Sequence, residues 1–105
     1  NQPVFLQGVK DRHALFSLRL DEINERFKLF KEVRGLGLLI GCELIEEHQG
    51  QAKNISNLAA QQGLLCLIAG LNVIRFAPAL NIPLEDIELG LSRFVIALEI
   101  YLKKD

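Results

Sequence analysis

Methionine and tryptophan are absent from this chain, tyrosine occurs once, cysteine twice and proline three times. With no methionine and an opening at Asn1, it is expected to be a processed or excised piece of a longer product. Two cysteines rule out a disulfide-dense scaffold. Cys42 and Cys66 have neither CxxC spacing nor flanking histidine. Both lie in apolar stretches and read as buried, reduced core thiols rather than as metal or redox groups. Neither sign of charge dominates: 12 Lys+Arg stand against 13 Asp+Glu, a formal net charge of −1. That balance argues against a nucleic-acid partner, which requires a basic surplus. Long hydrophobic runs are also missing. The longest, residues 63–71, falls far short of the ~20 residues of a membrane-spanning helix, and no signal-peptide pattern precedes it. The expectation is a soluble, cytoplasmic chain without a membrane partner.

Half of the 105 residues are apolar, enough for one hydrophobic core, and residues 1–105 are expected to form a single domain. Leu6, Val9, His13, Phe16, Leu20, Ile23 and Phe27 recur at alternating steps of three and four, which is one face of a long helix. Phe30 to Val33 then reads as a short strand, Arg34 to Gly37 as a tight or bulged connection, and Leu38 to Leu44 as a second strand. Glu46 to Gly50 is a polar loop. Ala52, Ile55, Leu58 and Ala59 mark a short amphipathic helix stopped by Gly63. Leu64 to Ala69 reads as a buried strand, joined through Gly70-Leu71-Asn72 to Val73 to Ala77 as a hairpin. Pro83, Glu85 and Asp86 open a final helix carrying Leu84, Ile87, Leu91, Phe94, Leu98 and Tyr101, with Lys103 and Lys104 at its end. The order is α-β-β-α-β-β-α. It predicts an α+β domain with a small, three- to four-stranded, largely antiparallel sheet and helices packed on one side.

One residue stands out of place. Arg75 lies among the apolar neighbours of Val73-Ile74-Arg75-Phe76-Ala77-Pro78. Alternation puts Ile74 and Phe76 on one face and Val73, Arg75 and Ala77 on the other. If the first face meets the helices, Arg75 points to solvent, to another domain or to a ligand. Its fork suits a carboxylate or phosphate held bidentately, and a surface arginine blunting an edge strand is the competing reading. Gly35, Gly37 and Gly41 fit no phosphate-binding fingerprint, since no helix follows them, and read as turn and bulge glycines. Ser56, His13 and His48 pair no nucleophile with a base. Glu46 and Glu47 read as a solvated loop, His48 as a loop residue and His13 as a partly covered helix residue. Lys10, Lys28, Lys31, Lys53, Lys103 and Lys104 occupy polar or helix-surface contexts, unlike a desolvated amine nucleophile.

The segments Val33-Arg34-Gly35-Leu36-Gly37-Leu38-Leu39-Ile40-Gly41-Cys42-Glu43-Leu44, Gln62-Gly63-Leu64-Leu65-Cys66-Leu67-Ile68-Ala69-Gly70 and Asn72-Val73-Ile74-Arg75-Phe76-Ala77-Pro78-Ala79-Leu80-Asn81-Ile82 form an ordered set. Arg12-His13-Ala14-Leu15-Phe16, Glu85-Asp86 and Gly90-Leu91-Ser92-Arg93-Phe94 flank it. Together they resemble the C-terminal small domain of class III pyridoxal-phosphate aminotransferases, in the acetylornithine/succinylornithine branch. The resemblance implies a larger domain, missing here, that carries the Schiff-base lysine, the acid facing the pyridine nitrogen and most phosphate contacts. The small domain closes over the substrate, and Arg75 stands where the family grips the substrate α-carboxylate. The longer protein would use pyridoxal phosphate to pass the δ-type amino group of an acylated ornithine, or a related ω-amine, to 2-oxoglutarate, as a homodimer with shared active sites. The chain alone, without the lysine, is expected to bind no cofactor and to be inactive. Two other classes are a stand-alone amino-acid-binding regulatory module, whose usual βαββαβ order does not match, and an interaction or dimerisation module using the heptad-like first helix or an exposed sheet face.

Overall fold

The computed structural model describes residues 2–36, 39–77 and 82–103. Gly37, Leu38 and residues 78–81, which carry part of the expected connection and of the family pattern, lie outside the described residues, as does Lys104.

The first stripe folds as α1 (Gln2–Phe27). It buries Phe16, Leu20 and Ile23, with Leu15 and Phe27 partly covered beside them. After the helix, Lys28 turns into the left-handed region at φ 56°, and its N–H donates to the Asn24 carbonyl at 2.8 Å. Asn24 fixes the exit. Its Nδ2 donates to the Phe30 carbonyl at 2.8 Å and its Oδ1 accepts from the Phe30 N–H at 2.9 Å.

Two hairpins supply the sheet. β1 (Phe30–Leu36) pairs antiparallel with β2 (Leu39–Leu44). The sequence reading ended β1 at Val33 and placed Arg34 and Gly35 in a connection, whereas both are paired strand residues, Arg34 with Gly41 and Gly35 with Ile40. The cause is a register shift between Phe30 and Glu32: one extra residue reverses the inward-outward phase and hides the alternation that follows. α2 (Ala52–Gln61) comes after a 3-10 turn at Glu46–His48. It stops as expected at Gly63, φ 86°. The Gly63 N–H donates to the Ala60 carbonyl at 3.0 Å and the Leu64 N–H to the Ala59 carbonyl at 2.9 Å, the paired bonds of a Schellman cap.

β3 (Leu67–Ala69) and β4 (Val73–Phe76) form the second hairpin, turning through Gly70 at φ 66°. The sheet order is β1-β2-β4-β3, antiparallel throughout. β3 is therefore an edge strand, not the buried strand expected over Leu64 to Ala69: Leu65 is 84% and Leu67 58% exposed. A short apolar run cannot reveal whether a strand has one neighbour or two. The hairpin turn is tied back to the fold, the Asn72 carbonyl accepting from Leu44 N–H at 2.8 Å and the Leu71 carbonyl from Ala52 N–H at 3.2 Å.

α3 (Leu84–Lys103) has Glu85 and Asp86 in its first turn and buries Ile87, Leu91, Phe94, Ala97 and Leu98. Side chains from all three helices share one core with Ile40, Cys42, Leu44, Ile74 and Phe76, the inward residues of β2 and β4. Helices thus cover one face of the sheet, in the predicted α+β arrangement. α1 and α3 are clamped at the surface by Arg19, whose Nε and Nη2 donate to the two oxygens of Glu88 at 2.7 and 2.9 Å. That bidentate contact holds the Glu88 carboxyl below the usual carboxylate range.

Gly35 is required by packing rather than by a turn. A Cβ there would lie 2.5 Å from His13 Nε2, 2.9 Å from Ile40 Cγ1 and 3.2 Å from the Leu39 carbonyl. Gly35→Ala in the full-length protein is therefore expected to cost about 1–3 kcal/mol, the scale of overpacking, read as a lower urea midpoint. Adding His13→Ala should recover part of the loss, because it removes one of the three obstructions. An unchanged midpoint for Gly35→Ala would show that α1 yields without strain.

Candidate carboxylate site on the open sheet face

Ile74 and Phe76 are buried against the helices while Arg75 is exposed, as alternation requires. The uncovered face follows from the registers. Arg34 pairs with Gly41, Gly41 with Arg75, and Arg75 with Leu67, so these four residues form one row across four strands. The adjoining row runs Glu32, Glu43, Val73 and Ala69. A cleft of ≈ 350 Å³ lies over the two rows, lined by Glu32, Arg34, Gly35, Leu39, Gly41, Glu43, Val73 and Arg75.

Gly41 forms part of the cleft floor. A Cβ there would meet only Val73 Cγ1 at 3.4 Å, with the Arg34 carbonyl and Arg75 Cγ at 4.0 Å. Gly41 is thus neither a turn nor a bulge glycine, as the sequence reading had it, and Gly35 is not one either. A glycine inside a strand leaves room for another group to approach the backbone.

The charges around the cleft are unevenly satisfied. Glu43 Oε2 pairs with Lys31 Nζ at 3.2 Å and Glu32 Oε2 with Arg34 Nε at 3.4 Å. The Arg75 side chain makes no hydrogen bond or ion pair among the described residues. Its planar fork is open to a carboxylate or phosphate.

The other polar residues do not assemble a reaction centre. His13 is half-buried, with Nε2 buried and lacking a hydrogen-bond partner among the described residues. His48 Nδ1 and the Tyr101 hydroxyl share a hydrogen bond of 2.6 Å. Ser56 Oγ donates to the Cys66 carbonyl at 3.3 Å, and Glu46 and Glu47 are exposed. Cys42 is buried as expected, and burial pushes its thiol up to about 12. Cys66 is only half-buried, against expectation, though burial raises its thiol too. Neither thiol offers a thiolate near neutral pH. No metal-binding cluster of three or more His, Cys, Asp or Glu occurs among the described residues. None of the described helices is long and apolar enough to cross a membrane. Lys10, Lys28, Lys31, Lys53 and Lys103 are exposed, Lys28 in an ion pair with Glu25. None of these five is desolvated, the condition that would lower the pKa of an amine nucleophile.

Arg34 and Gly41 are the site residues that sequence reasoning missed. The available signal was the outward pair Glu32 and Arg34, two residues apart, which becomes visible once a bulge at Lys31 is allowed.

The helix-first α+β fold is shared with solved aminotransferase structures. The N-acetylornithine aminotransferase of Stenotrophomonas maltophilia superposes with a TM-score of 0.92 and 39% identity over 96% of this chain and 28% of that one. The acetylornithine aminotransferase of Elizabethkingia anophelis, at 23% identity, shares the fold with a TM-score of 0.82 over 92% of this chain and 24% of its own. The sequence profile described as aminotransferase class-III matches residues 1–98. Succinylornithine transaminase of Citrobacter koseri is 59% identical over 99 residues, which are 94% of this chain and 24% of that protein. The chain belongs to the class-III aminotransferases, and it spans about a quarter of the length of the relatives it matches.

Proposed function

We propose that this chain is the small, C-terminal domain of a longer pyridoxal-phosphate aminotransferase that takes the amino group of an acylated ornithine to 2-oxoglutarate. Residues 1–105 act in it as one domain that closes the active site, and Arg75 binds the substrate α-carboxylate. The observation that carries the reading is the Arg75 guanidinium, exposed and free of any acid among the described residues, beside a mid-strand glycine on an uncovered sheet. Similarity to a succinylornithine transaminase supports the acylated-ornithine substrate.

In this reading the amine and acid that hold pyridoxal phosphate lie in the larger domain, the partner against which the open face closes. Arg75 contributes orientation. Two parallel N–H donors fix both the position and the plane of a carboxylate, which fixes the reacting carbon relative to the rest of the site. The family resemblance further implies a cytoplasmic homodimer. The test is glutamate formation by the full-length protein, supplied with pyridoxal phosphate and 2-oxoglutarate, from N-succinylornithine, N-acetylornithine or ornithine. Turnover of an acylated donor in preference to ornithine is expected, and no glutamate from either acylated donor would overturn the proposal. A stand-alone regulatory module gains no support from a specific observation.

A further inference from the structure

Arg75 stands at the margin of its sheet. Among the described residues it is the last of β4 with a strand on each side, paired with Gly41 of β2 and Leu67 of β3, whereas Phe76 pairs with Ile40 of β2 alone. The start of β4 is tied twice, the Asn72 carbonyl accepting from Leu44 N–H and Asn72 Oδ1 from the Gly50 N–H at 2.7 Å. A strand opens most readily at the end with fewest partners, so the hold on Arg75 depends on what fixes the chain beyond Phe76.

That hold comes from α1. Arg12 Nε donates to the Ile82 carbonyl at 2.6 Å, across 70 positions of sequence, and Arg12 Nη1 donates to the Gly8 carbonyl at 3.0 Å. Gly8 makes room for this geometry, since a Cβ there would lie 3.1 Å from Arg12 Nη1. A glycine inside a helix costs stability relative to alanine, and here the missing side chain lets the guanidinium lie back along α1 while reaching Ile82. Phe16, four residues on and so on the same face of α1, meets the Phe76 ring at a centroid distance of 5.4 Å. Phe16, Phe76, Ala77 and Ile82 line one hollow. Phe16 and Arg12 thus grip the two ends of the connection from β4 to α3, and the planar fork of Arg12 bridges two carbonyls in a geometry that a lysine ammonium does not reproduce.

We infer that Arg12 is a positioning residue: by holding the Ile82 carbonyl against α1 it fixes the exit of β4 and keeps Arg75 in register for its ligand. This rests on the proposed role of Arg75 and adds to it a residue on the opposite side of the sheet that touches no substrate.

Arg12→Gln in the full-length enzyme, assayed with N-acetylornithine as donor, tests it. Loss of the charge-assisted contact is expected to raise KM about tenfold with kcat held, because a binding group is misplaced while the reacting groups are left alone. Arg12→Lys, which keeps the stem, the charge and one donor, should show a smaller rise, and it carries the test if the glutamine variant does not fold. The discriminating comparison is the Arg75→Ala background. A residue that acts through Arg75 has nothing left to act on there, so Arg12→Gln should add no further loss. The same loss in both backgrounds would mark Arg12 as a structural tie alone and overturn the inference, as would an unchanged KM. If Arg75→Ala weakens binding while Arg12→Gln does not, only the role of Arg12 falls; if Arg75→Ala weakens nothing, the Arg75 reading falls as well.

Discussion

Arg75→Ala in the full-length protein is expected to lower kcat/KM for substrates carrying the α-carboxylate by about 2–5 kcal/mol of recognition, roughly 30-fold to several-thousand-fold. The size of the effect is diagnostic. In this chain Arg75 is exposed, and an exposed arginine meeting a carboxylate in water contributes below about 1 kcal/mol. The larger figure belongs to a pair that has been desolvated, which happens only if the remainder of the longer protein covers the open sheet face when substrate is bound. A loss of about fivefold or less would therefore mean that the cleft stays open to solvent. Arg75→Lys is expected to rescue little, since an ammonium keeps the charge but loses the planar fork that engages both oxygens. Steady-state kinetics with carboxylate substrates and with an amine lacking the carboxylate provide the check. Unchanged kcat/KM for both variants on carboxylate substrates would remove Arg75 from the site.

Much of this molecule is legible in one dimension because its helices are long. Ile87, Leu91, Phe94 and Leu98 hold a 3.6-residue period over enough turns to leave no other reading, and all four are buried. The exposure of Arg75 between buried Ile74 and Phe76 was legible for the same reason, a clean period of two. What was not legible depends on which strand lies beside which. β1 hides Arg34 because the extra residue at Lys31 shifts the phase of its alternation. β3 hides its edge position because Leu67 and Ile68 are as apolar as a central strand would need. The strand order β1-β2-β4-β3, with α2 between β2 and β3 in the chain, is a long-range outcome, and no local pattern encodes it. The candidate site inherits that limit. Arg75 could be singled out as a misfit among apolar neighbours, but the cleft exists only once Gly41 is paired with Arg34 on one side and Arg75 on the other.

The position of Arg75 is held by an aromatic cluster on the opposite face of its strand, so Phe94→Ala is expected to disturb the site from within. Phe94 on α3 is fully buried. Its ring meets Phe76 edge-on at a centroid distance of 5.1 Å and stacks with Phe30 at 6.2 Å, while Phe76 also contacts Phe16 at 5.4 Å. One side chain thus joins α3 to β1 directly, and to β4 and α1 through Phe76, the immediate neighbour of Arg75. Truncation removes buried apolar surface and leaves a cavity that the surrounding elements cannot fully close, a loss of about 3–5 kcal/mol. Phe94→Leu keeps most of the volume and forfeits mainly the ring contacts, about 0.5–1.5 kcal/mol for each aromatic pair. Amide hydrogen exchange in the full-length protein distinguishes local from global damage. The alanine variant should lose protection in β4 and α3, and with it part of the carboxylate recognition that depends on β4 staying in register with β2. The leucine variant should retain both. Wild-type protection of the β4 amides in Phe94→Ala would show that Phe16 on α1 and the neighbouring strands β2 and β3 suffice to hold Arg75 in place.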